Sequence, residues 1–203
     1  MRELTLILAS TPKMGIGLSG TLPWPSLKKE MAYFARVTKR SPSPTVQNAV
    51  IMGRKTWDSI PAKFRPLPNR LNIVISRSIS SIEKREDTSL WAGSLEKALQ
   101  WVDGEEEEVG RVFVIGGAEI YRAALGLKEA RRVLLTRVDR EWECDAFFPL
   151  ELKEDGEGGE WRRAGQEEMD AWVGEEVPRG RQVEKAGTEE ETGYEFEMWE
   201  RVD

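Results

Sequence analysis

The stretch Val112-Phe113-Val114-Ile115-Gly116-Gly117-Ala118-Glu119 decides the fold. A run of β-branched and aromatic residues reads as a buried strand, two glycines allow a tight turn and close approach of a ligand to the backbone, and Ala118–Leu125 continues with helical periodicity. Val50-Ile51-Met52-Gly53, followed by Arg54-Lys55-Thr56, has the same plan. Working outward, Leu4–Ala9, Ala49–Met52, Leu71–Ser76, Val112–Ile115 and Val133–Thr136 are expected as strands. Leu27–Thr38, Thr56–Ile60, Leu95–Val102 and Ala118–Leu125 are expected as helices. Strands alternating with helices imply an α/β fold with a mixed, mostly parallel central sheet and helices on both faces, in one three-layer domain over 1–203. Tyr194, Phe196 and Met198 alternate with glutamates, so 193–201 reads as a half-buried, antiparallel last strand.

The 203 residues, 39% of them hydrophobic, suffice for one core. A net charge of −6 argues against nucleic acid as a partner. Residues 1–10 are apolar but short and include Glu3, so they read as a strand and not a signal peptide, and no stretch is long enough to cross a bilayer. One cysteine, Cys144, cannot form an internal disulfide and suits a reducing, cytoplasmic setting. Histidine is absent, which removes the commonest general base, metal ligand and partner of a nucleophilic serine or cysteine. No metal site is expected, and a carboxylate or a cofactor must carry any chemistry. Residues 151–192, rich in Glu and Gly, read as a surface excursion anchored by Trp161, Trp172, Val173 and Val177. Glu105–Glu108, Glu189–Glu191 and Ser41–Pro44 read as solvated loops.

Gly15-Ile16-Gly17-Leu18-Ser19-Gly20 matches a G-x-G-x-x-G phosphate motif, but Pro23 and Pro25 block the helix that the motif requires. It is expected to be a Gly-rich loop. Better phosphate sites are Gly53 with Arg54, Lys55 and Thr56, then Ser76 and Arg77 at the end of a strand, then Gly116 to Glu119. Any one of these could be only a tight turn, whereas three together point to a nucleotide with several phosphates. The additional cation Arg77 leans toward a 2′-phosphorylated dinucleotide.

Leu27, Glu30, Met31, Phe34 and Thr38 share one helical stripe, so Glu30 is a carboxylate on an apolar face. Such a group has a raised pKa; it is either paired with a structural Arg or kept for a ligand. Trp24 could offer its indole N–H to a ligand or water, and Arg70 could grip a carboxylate with two parallel bonds or simply lie at the surface.

Gly15-Ile16-Gly17, Leu22-Pro23-Trp24, Met52-Gly53-Arg54-Lys55-Thr56-Trp57, Ser59-Ile60-Pro61 and Ile115-Gly116-Gly117-Ala118-Glu119-Ile120-Tyr121 resemble the signature blocks of dihydrofolate reductases. Asp145-Ala146-Phe147-Phe148-Pro149 and Tyr194-Glu195-Phe196-Glu197 resemble those of eukaryotic members, and the long excursion with Ala171-Trp172-Val173-Gly174 and Val177-Pro178 inside it resembles that of fungal ones. The resemblance implies a sheet of about eight strands with the last one reversed. It implies a monomeric NADPH-dependent oxidoreductase that reduces dihydrofolate to tetrahydrofolate for one-carbon metabolism and binds antifolate inhibitors. It assigns the catalytic set to Glu30, Trp24, Thr136 and Leu22. Substrate would meet Ile7, Ala9, Glu30, Met31, Phe34, Ser59, Ile60, Leu67, Arg70, Ile115, Tyr121 and Thr136, with Arg70 on the α-carboxylate of the glutamate tail. NADPH would meet Ala9, Ile16, Gly53, Arg54, Lys55, Thr56, Ser76, Arg77, Gly116, Gly117, Ala118, Glu119 and Tyr121, with a cis Gly116–Gly117 peptide. The loop from Gly15 to Trp24 would close over the nicotinamide. Met31 stands where many relatives carry an aromatic. A related reductase of riboflavin synthesis and a non-catalytic dinucleotide-binding protein are the alternative readings.

Overall fold

The computed structural model describes residues 2–41, 43–85, 89–105, 108–153, 159–185 and 191–202. The elements run β1 (Leu4–Ser10), β2 (Gly15–Gly17), α1 (Lys28–Lys39), β3 (Gln47–Gly53), α2 (Arg54–Ser59), β4 (Leu71–Ile75), β5 (Glu83–Lys84), β6 (Ser89–Ala92), α3 (Leu95–Gly104) and β7 (Val109–Val114). They continue with α4 (Ala118–Leu125), β8 (Ala130–Val138), β9 (Ala146–Phe147), β10 (Trp161–Arg163), α5 (Gln166–Val173), β11 (Gln182–Lys185) and β12 (Glu191–Arg201). Every expected strand and helix is present within a few residues. Among the described residues there are twelve strands against about eight expected. The strands that patterning did not find, β2, β5, β6, β9, β10 and β11, have two to four residues each, too few to show a period.

The chain forms two compact units, Met1–Leu6 with Thr38–Ala130, and Ile7–Val37 with Arg131–Asp203. In the first, the strands lie in the order β1-β7-β3-β4-β6, all parallel, with β5 antiparallel to β6. Val50, Ile51, Met52, Ile73, Val74, Phe113 and Val114 are fully buried, as strands covered on both faces must be. The crossover from β3 to β4 through α2 and that from β6 back to β7 through α3 run in opposite directions along the sheet. With right-handed connections they place α2 and α3 on opposite faces. All the parallel strands therefore bring their carboxyl ends, and the glycines that follow β3 and β7, to one edge.

In the second unit β12 lies antiparallel along β8, from Tyr194 opposite Val138 to Glu200 opposite Arg132. β10 and β11 both pair with β12, at its two ends. Residues 151–192 thus supply β10, α5 and β11, elements that the sequence reading did not include. Trp161, Val173 and Val177 are buried as anchors, and Arg132 stacks over the Trp172 ring at 4.6 Å. Glu105–Glu108, Glu189–Glu191 and Ser41–Pro44 fall partly outside the described residues. The apolar stripe of α1 needs correction: Tyr33 and Val37 are buried, Met31 is 51% exposed and Phe34 only partly covered. Hydrophobicity ranks Met and Phe above Tyr, but the Tyr33 ring packs on Phe196 at 4.1 Å and is buried by that contact.

Within the first unit a buried asparagine ties backbone to backbone. Asn48 Nδ2 donates to the carbonyls of Thr38 (3.0 Å) and Arg40 (2.9 Å), and its Oδ1 accepts from the Arg111 N–H (2.9 Å). Asn48→Leu keeps the volume and strands three polar groups, so we expect a loss of about 2–4 kcal/mol in chemical denaturation. A loss below about 0.5 kcal/mol would show that water takes over those bonds.

Candidate active site

Leu27 immediately precedes α1, and Glu30 lies in its first turn, pointing inward. The Glu30 side chain is 9% exposed and its Oε1 accepts one hydrogen bond, from Thr136 Oγ1 on β8 at 3.0 Å. Burial pushes its carboxyl from 4.5 up to about 7; the Thr136 bond pulls it partly back, and the neighbouring Glu184 pushes it further up. Among the described residues no cation pairs with Glu30, so the structural-Arg alternative does not hold. Sequence reasoning missed Glu184 on β11 and Tyr194 on β12. Glu184 accepts from the N–H groups of Lys29 (2.9 Å) and Glu30 (3.3 Å), and from the Tyr194 hydroxyl (2.6 Å).

The same unit holds Ile7 and Ala9 on β1, Ile16 on β2, and Leu22 and Trp24 before α1. Trp24 is buried, whereas Leu22 and Met31 are about half exposed. The Gly-rich segment opens no helix. Instead β2 pairs with β9, the Gly17 carbonyl accepts from Asp145 N–H (2.9 Å), and Asp145 Oδ2 accepts from Ser19 N–H (2.8 Å). This explains why Asp145–Phe148 accompanies the Gly-rich block.

In the other unit the ends of β3 and β7 are joined: Gly53 N–H donates to the Gly116 carbonyl at 2.8 Å and Ile115 N–H to that of Ile51 at 2.9 Å. The Gly116–Gly117 peptide is cis, and Gly116 has φ +121°, which only glycine adopts without strain. Thr56 Oγ1 and Tyr121 both stand 3.5 Å from where a Cβ on Gly116 would be. Ser59, exposed, donates to the Thr56 carbonyl at 2.7 Å, and Ile60 ends α2. The helices α2 and α4 open on Gly53 and Gly117 with no side-chain cap, whereas Ser94 caps α3. Arg54, Lys55 and Arg77 are exposed and make no ion pair among the described residues, whereas nearby Arg65 and Arg85 pair with Asp58 and Glu83. Free N–H groups, free cations, a Cβ-less cradle, Ser76 and the first turn of α4 with Ala118 and Glu119 fit a polyphosphate nucleotide.

Arg70 is 7% exposed; its guanidinium donates to Thr38 Oγ1 (2.9 Å) and the Pro68 carbonyl (3.0 Å), with no carboxylate partner among the described residues. Burial lowers it to about 10, still charged at neutral pH. The loop that presents it is closed by Asn72, which sequence reasoning missed: Oδ1 accepts from Leu67 N–H, and Nδ2 donates to the carbonyls of Leu67 and Arg70. The structure thus brings Glu30 to Thr136 in one unit, and Gly53, Thr56, Gly116 and Tyr121 together in the other.

A family model described as dihydrofolate reductase matches residues 3–175. A dihydrofolate reductase of Pneumocystis carinii is 41% identical over 98% of the chain and 97% of its own length. One from Candida albicans is 39% identical over 97% of the chain and 95% of its length. The solved Schistosoma mansoni dihydrofolate reductase superposes with TM-score 0.77 at 29% identity, covering 99% of both chains.

Because the folded state holds the Glu30 proton more tightly than the unfolded chain, its contribution to stability is complete below pH 4.5 and is lost as pH rises through about 7. Glu30→Gln, which cannot ionise, should therefore match the parent near pH 4.5 and exceed it in stability by up to about 3 kcal/mol at pH 8.5. Equal stability differences at both pH values, read from denaturant melts, would contradict this.

Proposed function

The chain belongs to the dihydrofolate reductase family, and we propose that it reduces 7,8-dihydrofolate to 5,6,7,8-tetrahydrofolate with NADPH. The observation that carries this reading is the Glu30 carboxyl, buried with a single neutral donor, Thr136, and no cation among the described residues. Glu30 hydrogen-bonds the pterin 2-amino group and N3, with Thr136 supporting the contact. Arg70, buried without a carboxylate, takes the α-carboxylate of the glutamate tail. Ile7, Ala9, Leu22, Met31, Phe34, Ser59, Ile60, Leu67, Ile115 and Tyr121 complete the substrate's surroundings.

Gly53, Arg54, Lys55, Thr56, Ser76, Arg77 and Gly116 to Glu119 hold the phosphates of NADPH, with Ala9, Ile16 and Tyr121 near the rest of it. When bound, NADPH supplies the hydride that goes to C6 of the pterin. Glu30, engaged at the opposite end of the ring, does not reach N5; it polarises the pterin so that a water near Trp24 and Leu22 protonates N5. The segment from Gly15 to Trp24 excludes bulk water during that step. Antifolates compete for Glu30. We expect a monomer, with residues 1–203 acting as one domain. A single cysteine supports a cytoplasmic enzyme.

NADPH absorbance should fall with dihydrofolate, stay constant with a ribosylated pyrimidine, and stay constant when an antifolate is present. Tight NADPH binding without turnover would sink the proposal. Glu30→Gln should lower turnover at pH 7 about 100-fold or more and change NADPH affinity about two-fold or less; equal losses in both would remove Glu30 from the pterin. Arg70→Lys, which keeps charge but loses the fork, should raise KM for dihydrofolate about ten-fold with little change in kcat.

A further inference from the structure

Helix α1 begins without a cap of its own. The residue before it is Leu27, whose side chain can accept nothing, yet the first N–H groups of a helix have no partner inside it. Glu184, 154 residues from Glu30 along the chain, fills the gap: its Oε1 and Oε2 lie 2.9 and 3.1 Å from Lys29 N, and Oε1 lies 3.3 Å from Glu30 N. A carboxylate there also meets the positive end of the helix dipole. The Tyr194 hydroxyl donates to the same Oε1 at 2.6 Å and fixes the rotamer. β11 and β12 are paired, with Gln182 opposite Tyr194, so donor and acceptor arrive together.

We infer that Glu184 is a positioning residue for Glu30: it fixes the backbone from which Glu30 projects and, through its charge, sets how readily the Glu30 carboxyl gives up its proton. The two ends of Glu30 are then held separately, the main chain by Glu184 and the side chain by Thr136. The groups that face Glu30 are few. Thr136 on β8 favours the ionised form and Glu184 on β11 opposes it; Tyr33 on α1 and Tyr194 on β12, both pushed up by burial and by nearby carboxylates, stay neutral. Burial does most to raise this carboxyl toward neutral pH, and Glu184 is the charge that adds to it. The consequence for turnover rests on the proposed reductase reaction; the effect on Glu30 itself does not.

The test is carboxyl 13C NMR titration of Glu30 in the ligand-free full chain, with Glu30→Gln identifying the resonance. The parent should titrate near pH 7. Glu184→Gln keeps an oxygen for the N–H groups but removes the charge, and should lower the midpoint by about half a unit to one unit. Glu184→Asp keeps the charge on a shorter arm and should leave the midpoint near the parent's while weakening the cap and the melting temperature. The alkaline break in kcat/KM should move with the midpoint. An unchanged midpoint in Glu184→Gln, or an equal shift in Glu184→Asp, overturns the inference. Absence of dihydrofolate-dependent NADPH oxidation would overturn the reductase proposal while leaving the titration to be read.

Discussion

Placing one ionisable oxygen pair in an apolar setting with too few partners is the constraint on which the candidate site depends. Glu30 faces inward from α1 with Thr136 as its side-chain donor, and the cost of ionising it there is what moves its proton affinity toward neutrality. A salt bridge would have removed that property, since a nearby guanidinium holds a carboxylate ionised far below pH 7. The contrast in partners lies within the same unit: Glu197, also buried, is gripped by Arg137 at 2.9 and 3.0 Å. What separates a buried carboxyl with a raised proton affinity from an ion-paired one is therefore the company that each is given.

The same economy recurs with opposite sign. Arg70 is buried without an anion, and Arg54, Lys55 and Arg77 are exposed without one among the described residues, while most other arginines are matched. Desolvating a guanidinium costs several kcal/mol unless an anion is supplied. Asn72 closes the loop that presents this group, through bonds to Leu67 and to the Arg70 carbonyl, and the proposed role of Arg70 on the glutamate tail would supply the anion that the described residues do not.

The main strands could be read from sequence because they are buried on both faces and so appear as unbroken runs of β-branched and aromatic residues, as in Val112–Val114. Short strands such as β5 and β9 could not, since two residues carry no alternation. Glu30 stood out because a charge on an apolar stripe is locally visible, and the Gly116-Gly117 turn because only glycine tolerates its backbone. Tyr33 was lost to Met31 and Phe34, as its burial depends on stacking with Phe196 from a distant strand. Glu184 and Asn72 had no local signal at all. One acts across 154 residues, and the other looks like any polar residue at the start of a strand until its three bonds are seen.

The uneven capping of the helices has a dynamic consequence. α3 is closed by Ser94 and α5 by Glu168, which accepts from Gly165 N–H at 2.8 Å, so their first turns are protected by the chain itself. α2 and α4 have no such side-chain closure among the described residues, so their leading amides are without a cap. Those amides will exchange hydrogen for deuterium through small local openings at a rate that an anion lying across them suppresses. The two helix starts without a side-chain cap are thus the ones at which the proposed phosphates would lie.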